Sequence, residues 1–486
     1  VRIQRQLAHV SLGVRMREKQ WAFWPGIVLL QALSLGALLG TAFSPGNSFS
    51  GLQGVLLTLV LLGITLSIYS AEEPRLFYSM QPSAQLRAWI ARCPALHRQI
   101  RLAPWASHAH LQTILFAYWE GWAVHCCPRR FTLPIRFRRE LVRLSDGGQV
   151  SLDWSHISSE EQDEISSPIL LLIPGFSGEN GNTYLRRLAR SVHANCATWR
   201  FAVKNWRGLG CPLHSEQTRT ETWDERATAD VIEVAAFIRQ SNPSAPIFLV
   251  GFSYGGNIAI SALAHAHAKM YFAGGIAVSG PMDYGEVIHF LEERQWFPYA
   301  FINVRVVADY YRSSKLMLQE LARKRLQIVD QLTSWRNLVK HLCIRRPYGS
   351  TWHDQFTRHF TGHSSVKLYY RELSQLIGEA VRKVQLPTLC LLSEDDPLLP
   401  LSSFVPMLGG FQHLHLESCD DHNNNQELLR ADYYPQSGFA NTPDALSPNI
   451  AVAITKRGGH CGWFLGLTAD SWIDEVVCQF TSAVLS

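Results

Sequence analysis

The sequence predicts an α/β protein with a mostly parallel sheet that is covered by helices on both faces. From about residue 140 onward, short apolar runs alternate with helix-like runs, which is the order of elements that builds such a sheet. The run Ile247 to Val250 leads into a Gly-x-Ser-x-Gly turn and then into a helix-like run. Nearer the N-terminus, two long stretches contain no charged residue, so the 486-residue chain combines a globular part with a predicted membrane part.

Strands that are buried on both faces are expected to be short and almost continuously apolar. Runs of this kind lie at 168–173, 201–203, 247–250, 272–278, 386–392 and 451–455. Helices are predicted at 183–194, 222–240 and 257–266. These elements assign residues 141–486 to one domain. Within it, the helix-like, aromatic-rich residues 281–380 form a predicted helical cap over the carboxyl ends of the strands, where sheets of this class bind ligands.

The segment Gly251 to Gly255 reads Gly-Phe-Ser-Tyr-Gly and lies between a predicted strand and a predicted helix. A sharp turn in this position holds its serine in a strained conformation, with Oγ exposed at the end of the sheet. Glycines on both sides remove the Cβ atoms that would clash. The five-residue pattern alone is a weak signal, and its strand-turn-helix context is what makes Ser253 a candidate nucleophile. The alternative is an ordinary Gly-rich turn with an exposed serine.

A serine hydroxyl becomes a good nucleophile only when a base accepts its proton, and a carboxylate usually orients that base. In this fold class the acid and then the histidine follow the serine along the chain. Asp396, in the turn after the strand at 386–392, is the predicted acid, with Asp395 as the alternative. His460, which lies beside two glycines after the last predicted strand, is the predicted base. The competing interpretation of the aspartates is an Asp-Pro turn without a catalytic role.

The negatively charged oxygen that forms during acyl transfer needs two fixed N–H donors. The backbone N–H of Tyr254, which follows the predicted nucleophile, is one candidate. The backbone N–H of Phe176, in the Pro174-Gly175-Phe176 turn after a predicted strand, is the other. An ordinary turn at the end of a strand is the alternative for Phe176. Chemistry of this kind requires no metal and no organic cofactor.

The two uncharged stretches are Trp21 to Phe43 and Gly51 to Tyr69, and a short turn-forming linker joins them. A helix over the first stretch is about 35 Å long, enough to cross a hydrocarbon core of about 30 Å. Residues 21–71 are therefore predicted to form two transmembrane helices. A pair of helices buried inside a soluble protein is the alternative.

Basic residues flank this predicted hairpin on both sides, in residues 1–20 and 72–140, whereas the linker between the spans is uncharged. By the positive-inside rule, both flanks and the globular domain face the cytosol, or the matrix or stroma of an organelle. Residues 1–20 fit either a basic flank or the remainder of an organelle presequence. Residues 72–140 fit either a juxtamembrane segment attracted to anionic lipid headgroups or a solvated surface.

The composition argues against several other classes. The net charge of +5, from 45 basic and 40 acidic residues, does not indicate a nucleic-acid partner. None of the 10 cysteines stands in a Cys-x-x-Cys motif, so neither a zinc ribbon nor a thioredoxin-type site is indicated.

Several further motifs accompany the candidate site. They are His110-Leu-Gln-Thr113, Asp146-Gly-Gly148, Asn205-x-Arg-Gly208, Gly251 to Asn257, Tyr369-Tyr370, Asp395-Asp-Pro397 and Gly458-Gly-His460. Together they resemble the α/β-hydrolase superfamily and, within it, the membrane-anchored alpha/beta-hydrolase-domain (ABHD) lipases and esterases, whose plant relatives are called embryogenesis-associated proteins. The resemblance implies a serine hydrolase that cleaves esters, in some relatives phospholipid acyl esters, with Ser253, Asp396 and His460 as its triad.

Three features depart from the pattern of that group. Trp206 stands where relatives often have His, and Tyr254 stands where Leu is common. Polar residues at about 417–448 lengthen the spacing from Asp396 to His460, and we expect them to form a surface loop.

These observations predict a membrane-anchored serine esterase or lipase whose substrate is a lipid or another ester. The competing hypothesis is a non-catalytic subunit that keeps the hydrolase fold as a scaffold in a membrane protein complex. A scaffold has no need for an intact serine, aspartate and histidine, so the sequence favours the enzyme.

Overall fold

The computed structural model describes residues 71–79, 81–116, 135–156, 166–175, 183–196, 198–211, 225–287, 290, 366–404, 446–466 and 470–486. These residues form a nine-stranded sheet with helices on both faces. The strands are β1 (Arg75–Tyr78), β2 (Arg136–Arg143), β3 (Gln149–His156), β4 (Ile169–Ile173), β5 (Arg200–Lys204), β6 (Ile247–Phe252), β7 (Phe272–Val278), β8 (Thr388–Ser393) and β9 (Ile450–Thr455).

The strand order across the sheet is β1-β9-β8-β7-β6-β4-β5-β3-β2. The six strands from β9 to β5 in this order pair in parallel. At one edge β1 pairs antiparallel with β9, and at the other edge β3 and β2 add two antiparallel pairs. The carboxyl ends of the parallel strands therefore lie on the same side, at the end of the sheet where ligands bind in folds of this class.

The helices are α1 (Ala84–Ala91), α2 (Thr183–Asn195), α3 (Glu225–Ser241), α4 (Tyr254–Ala264), α5 (Ala268–Tyr271), α6 (Val366–Lys383) and α7 (Trp472–Leu485). Alternate side chains of the central strands belong to two separate hydrophobic clusters, as the two-residue period of a strand requires. Helices α3, α4 and α6 contribute to the cluster on one face, and α1, α2 and α7 to the cluster on the other. Both faces are covered, which explains why the central strands are almost entirely apolar.

This architecture confirms the predicted α/β class and its mostly parallel sheet. The six predicted strands correspond to β4 through β9, and every predicted strand end lies within two residues of the observed one. Buried parallel strands are the easiest to predict, because burial on both faces imposes a continuous apolar run on the sequence.

Strands β1, β2 and β3 are absent from the prediction, and the edge strand β2 shows a physical reason. Most side chains of β2 are exposed or half-buried, and four of its eight residues are arginines. A strand at the edge of a sheet often carries charged residues, so it lacks the apolar run of a central strand. The sheet thus extends to Arg75, within residues 72–140, whose charge by itself indicates only a basic segment beside a membrane.

Several predicted features lie outside the described residues. These are both predicted transmembrane stretches, Phe176, most of the predicted cap at 281–380 and most of the predicted loop at 417–448. Within the described part of the chain, no helix has the length and apolar character that a membrane crossing requires. Helix α6, at the end of the predicted cap range, packs against α4.

Candidate active site

Ser253 lies in a strained turn between β6 and α4. Its φ of 51° and ψ of −123° are unusual for a residue other than glycine. A Cβ atom on Gly251 would lie 2.0 Å from the carbonyl oxygen of Gly255, and one on Gly255 would lie 2.4 Å from the carbonyl oxygen of Ile173. Both positions thus require glycine, and the turn has the geometry that the Gly-x-Ser-x-Gly pattern predicts.

The structure brings three of the predicted site residues into one chain of hydrogen bonds. The distance from Ser253 Oγ to His460 Nε2 is 2.9 Å, and His460 Nδ1 lies 2.8 Å from Asp396 Oδ2. The second carboxylate oxygen of Asp396 accepts backbone N–H bonds from Leu398 and Leu399, each at 2.9 Å. The carboxylate is therefore fixed by the turn that follows it, with one oxygen left for the imidazole.

Asp396 also controls the charge of His460. Burial alone would lower the pKa of His460, but the adjacent Asp396 carboxylate, together with Cys461, outweighs burial and raises that pKa well above its ordinary value. An imidazole accepts a proton only in its neutral form, so this base is lost as the pH falls through the raised pKa.

Asp395, the alternative acid, has a different set of partners. Its Oδ1 accepts the backbone N–H groups of Gly458 and Gly459, each at 2.9 Å, and also the hydroxyl of Ser393. Asp396 accepts the hydrogen bond of the His460 ring, whereas Asp395 accepts from the backbone of the loop that carries His460. The two neighbouring carboxylates thus serve the same histidine in different ways.

Of the two predicted oxyanion donors, Tyr254 is described and Phe176 is not. Tyr254 is the first residue of α4, and the backbone N–H groups of a helix's first turn point out of its N-terminus. The positive end of the helix dipole also lies there, which favours a negative charge nearby.

Gly175, which precedes Phe176, lies beside Ser253 and is held on both sides. Its N–H donates to the hydroxyl of Tyr184 at 3.0 Å, and its carbonyl oxygen accepts the indole N–H of Trp206 at 2.8 Å. A Cβ atom on Gly175 would lie 3.4 Å from the Cβ atom of Ser253. Reasoning from sequence noted Trp206 only as a departure from relatives, because nothing local in the sequence indicates a contact with Gly175.

An aromatic cluster lies next to the Ser253 turn. The ring of Tyr254 packs against Trp206 and Tyr284, and Tyr284 stacks on Tyr370 of α6 with a centroid distance of 6.1 Å. The side-chain amide of Asn257 donates to the hydroxyl of Tyr284 at 2.7 Å. The Asn257 and Tyr370 motifs, far apart in sequence, thus meet at Tyr284, which packs against the residue that follows Ser253.

Comparison with known proteins identifies the family. The family model described as alpha/beta hydrolase fold matches residues 168–417, just over half of the chain. The chain is 23% identical to "Embryogenesis-associated protein EMB8" of Picea glauca, over 81% of this chain and 74% of that protein. It is 24% identical to "Phospholipase ABHD3" of Homo sapiens, over 72% of this chain and 73% of that protein.

A third relative is "Monoacylglycerol lipase ABHD2" of Danio rerio, which is 24% identical over 81% of this chain and 82% of that protein. The prediction of a carboxylic ester hydrolase is confirmed at the level of enzyme class, since relatives named as a phospholipase and a lipase match most of the chain. The resemblance to the ABHD and embryogenesis-associated proteins is confirmed as well. With its parallel sheet, its strained serine turn and this family match, the chain belongs to the α/β-hydrolase fold family.

Proposed function

We propose that this protein is a serine hydrolase that cleaves carboxylic esters with Ser253, His460 and Asp396. The observation that carries the proposal is the continuous set of hydrogen bonds from Ser253 Oγ to His460 Nε2, at 2.9 Å, and from His460 Nδ1 to Asp396, at 2.8 Å. The strained turn at Ser253 supports it too, because strain of this kind persists at functional sites.

In the proposed reaction, Ser253 Oγ attacks the acyl carbonyl carbon while His460 Nε2 accepts the hydroxyl proton. The backbone N–H groups of Tyr254 and Phe176 stabilise the resulting oxyanion. When the tetrahedral intermediate collapses, His460 returns the proton to the departing alcohol, which leaves an acyl-enzyme. Water then attacks the acyl carbonyl, again with His460 as base, and releases the carboxylic acid and Ser253. Asp396 holds the imidazole with Nδ1–H directed at its carboxylate throughout.

Lipid acyl esters are the proposed substrate class. The human relative is named a phospholipase and the Danio rerio relative a monoacylglycerol lipase, so both names refer to lipid substrates. The aromatic cluster of Tyr254, Tyr284 and Trp206 next to the Ser253 turn supports an apolar substrate.

A membrane anchor in residues 21–71 is part of the same proposal. The uncharged stretches Trp21 to Phe43 and Gly51 to Tyr69 support it, together with the basic residues on both flanks. The same charge pattern supports a catalytic domain on the cytosolic side, or on the matrix or stromal side of an organelle membrane. An anchor in this position keeps the enzyme next to a lipid substrate.

Labelling with a fluorophosphonate probe tests the proposed nucleophile. The detergent-solubilised wild type should be labelled, because the probe reacts with serines that a base activates. Ser253→Ala should abolish labelling and lower hydrolysis of p-nitrophenyl butyrate by about 10⁴-fold or more. A folded wild type that stays unlabelled would contradict the enzyme and favour a scaffold subunit.

A further inference from the structure

The loop after β9 that carries His460 has a strained backbone. Gly459, Cys461 and Trp463 all have positive φ angles, of 61°, 62° and 47°. A residue other than glycine rarely adopts this conformation, and such strain persists only where surrounding contacts hold it in place. The geometry of His460 thus depends on what holds this loop.

Two side chains accept three consecutive backbone N–H groups of the loop. Asp395 Oδ1 accepts those of Gly458 and Gly459, each at 2.9 Å. The hydroxyl oxygen of Thr113 accepts the N–H of His460 itself, also at 2.9 Å. Because Thr113 and His460 are buried, water has little access to replace this bond.

Thr113 is itself fixed in direction. Its hydroxyl donates to the carbonyl oxygen of Ala109 at 2.8 Å, so its proton is committed and its oxygen is free to accept from His460. The preceding residue, Gln112, is fully buried and bridges in the same way. Its amide donates to Ala106 at 2.6 Å, and its oxygen accepts the N–H of Phe464 at 2.7 Å.

The loop also packs against this segment without spare volume. A Cβ atom on Gly459 would lie 2.5 Å from the carbonyl oxygen of Ala109 and 2.9 Å from the hydroxyl oxygen of Thr113. A Cβ atom on Gly462 would lie 2.8 Å from the Cβ atom of Gln112. Residues 109–113 therefore hold the loop in place, by close packing as well as by hydrogen bonds.

We propose that Thr113, with Gln112 and Asp395, is a positioning residue that holds the backbone of the His460 loop and so aligns the imidazole with Ser253. The inference rests on the proposed serine hydrolase function and assigns a role to the His-Leu-Gln-Thr motif within it. Without the Thr113 hydroxyl, the buried N–H of His460 loses its partner and the loop relaxes. A displacement of a reacting group by about 1 Å costs roughly 10²-fold in rate.

Thr113→Val and Thr113→Ser form a matched pair for the test. Valine keeps the shape of threonine but removes the hydroxyl, whereas serine keeps the hydroxyl and removes the methyl group. We expect Thr113→Val to lower kcat on p-nitrophenyl butyrate by about 10- to 100-fold with KM nearly unchanged, and Thr113→Ser to stay within about threefold of wild type. The labelling rate with the fluorophosphonate probe should fall in parallel with kcat.

A merely structural role would give a different pattern. If Thr113→Val retains the wild-type kcat, or if Thr113→Ser loses as much as Thr113→Val, the positioning role is overturned. Should Thr113→Val fail to fold, judged by its thermal unfolding, Thr113→Ala replaces it in the comparison with serine.

The two proposals fail separately. A wild type labelled at Ser253, together with a fully active Thr113→Val, overturns the role of Thr113 and leaves the serine hydrolase intact. A folded wild type without labelling overturns the serine hydrolase and the positioning role with it.

Discussion

Among single residues, Asp396 contributes most to raising the pKa of His460. Burial lowers that pKa, whereas the Asp396 carboxylate and Cys461 raise it, so the imidazole is neutral and able to accept a proton only above the raised pKa. Asp395, one position earlier, instead accepts the backbone N–H groups of Gly458 and Gly459 with its Oδ1. Two carboxylates adjacent in sequence therefore differ in which part of the histidine loop they touch.

Replacing each carboxylate separately tests this division. In Asp396→Asn the charge that raises the His460 pKa is gone while burial still lowers it, so the acid limb of the kcat/KM profile should move to lower pH. The rate should also fall by about 10³- to 10⁴-fold, because the asparagine amide favours the wrong imidazole tautomer. Asp395→Asn is the control and should move the limb less. A larger shift in Asp395→Asn than in Asp396→Asn would reverse the assignment of the acid.

At the scale of elements, the loop after β5 carries Trp206 to the site. Asn205 donates to Asp153 of β3, and Arg207 makes a two-pronged pair with Asp230 of α3, at 2.6 and 2.8 Å. These buried contacts fix the residues on either side of Trp206. The Asn-x-Arg-Gly motif thus anchors the loop, and its variable residue x reaches Gly175.

Removing the indole N–H of Trp206 should weaken catalysis while leaving the fold intact. In Trp206→Phe the ring still packs against Tyr254, but the carbonyl oxygen of Gly175 loses its donor, beside a predicted oxyanion donor. This carbonyl belongs to the residue before a predicted oxyanion donor, so a small displacement of the backbone there should lower kcat/KM by roughly 10-fold. Trp206→His, which restores a ring N–H, should recover part of the loss. Equal kcat/KM in wild type and Trp206→Phe, at equal Tm, would contradict a role for this bond.

Across the molecule as a whole, the His460 loop contacts residues that follow the predicted membrane spans. Strand β1 pairs with β9, which leads directly into the His460 loop, and Thr113 contacts that loop. The family match at 168–417 includes neither Thr113 nor His460. The proposed catalytic unit therefore includes residues from both sides of the matched region.

Membrane extraction tests the proposed anchor. The full chain should remain in the membrane pellet after an alkaline carbonate wash, because two apolar spans resist extraction. A chain that begins at residue 71 keeps β1 and should appear in the supernatant. Labelling of this shorter chain at Ser253 serves as the control for its folding. Release of the full chain by carbonate would exclude an integral anchor.

The central sheet and the serine turn can be predicted from the sequence alone. Both are local features. A parallel strand that is buried on both faces consists of consecutive apolar residues, and the close approach of Gly255 to β4 requires glycine at a fixed spacing from Ser253. The order of serine, aspartate and histidine along the chain narrowed the remaining candidates to a few residues.

The arrangement of those candidates in space depends on contacts between distant segments. Thr113 and His460 are 347 positions apart, so no local pattern predicts their hydrogen bond. The choice between Asp395 and Asp396 depends on which carboxylate the imidazole faces, and the contact of Trp206 with Gly175 depends on neighbouring strands. The edge strand β2 needed the structure too, because it has one neighbour and mostly exposed or half-buried side chains, and so carries no apolar run. Contacts between distant segments depend on how those segments pack, so they cannot be predicted from any one segment of the sequence.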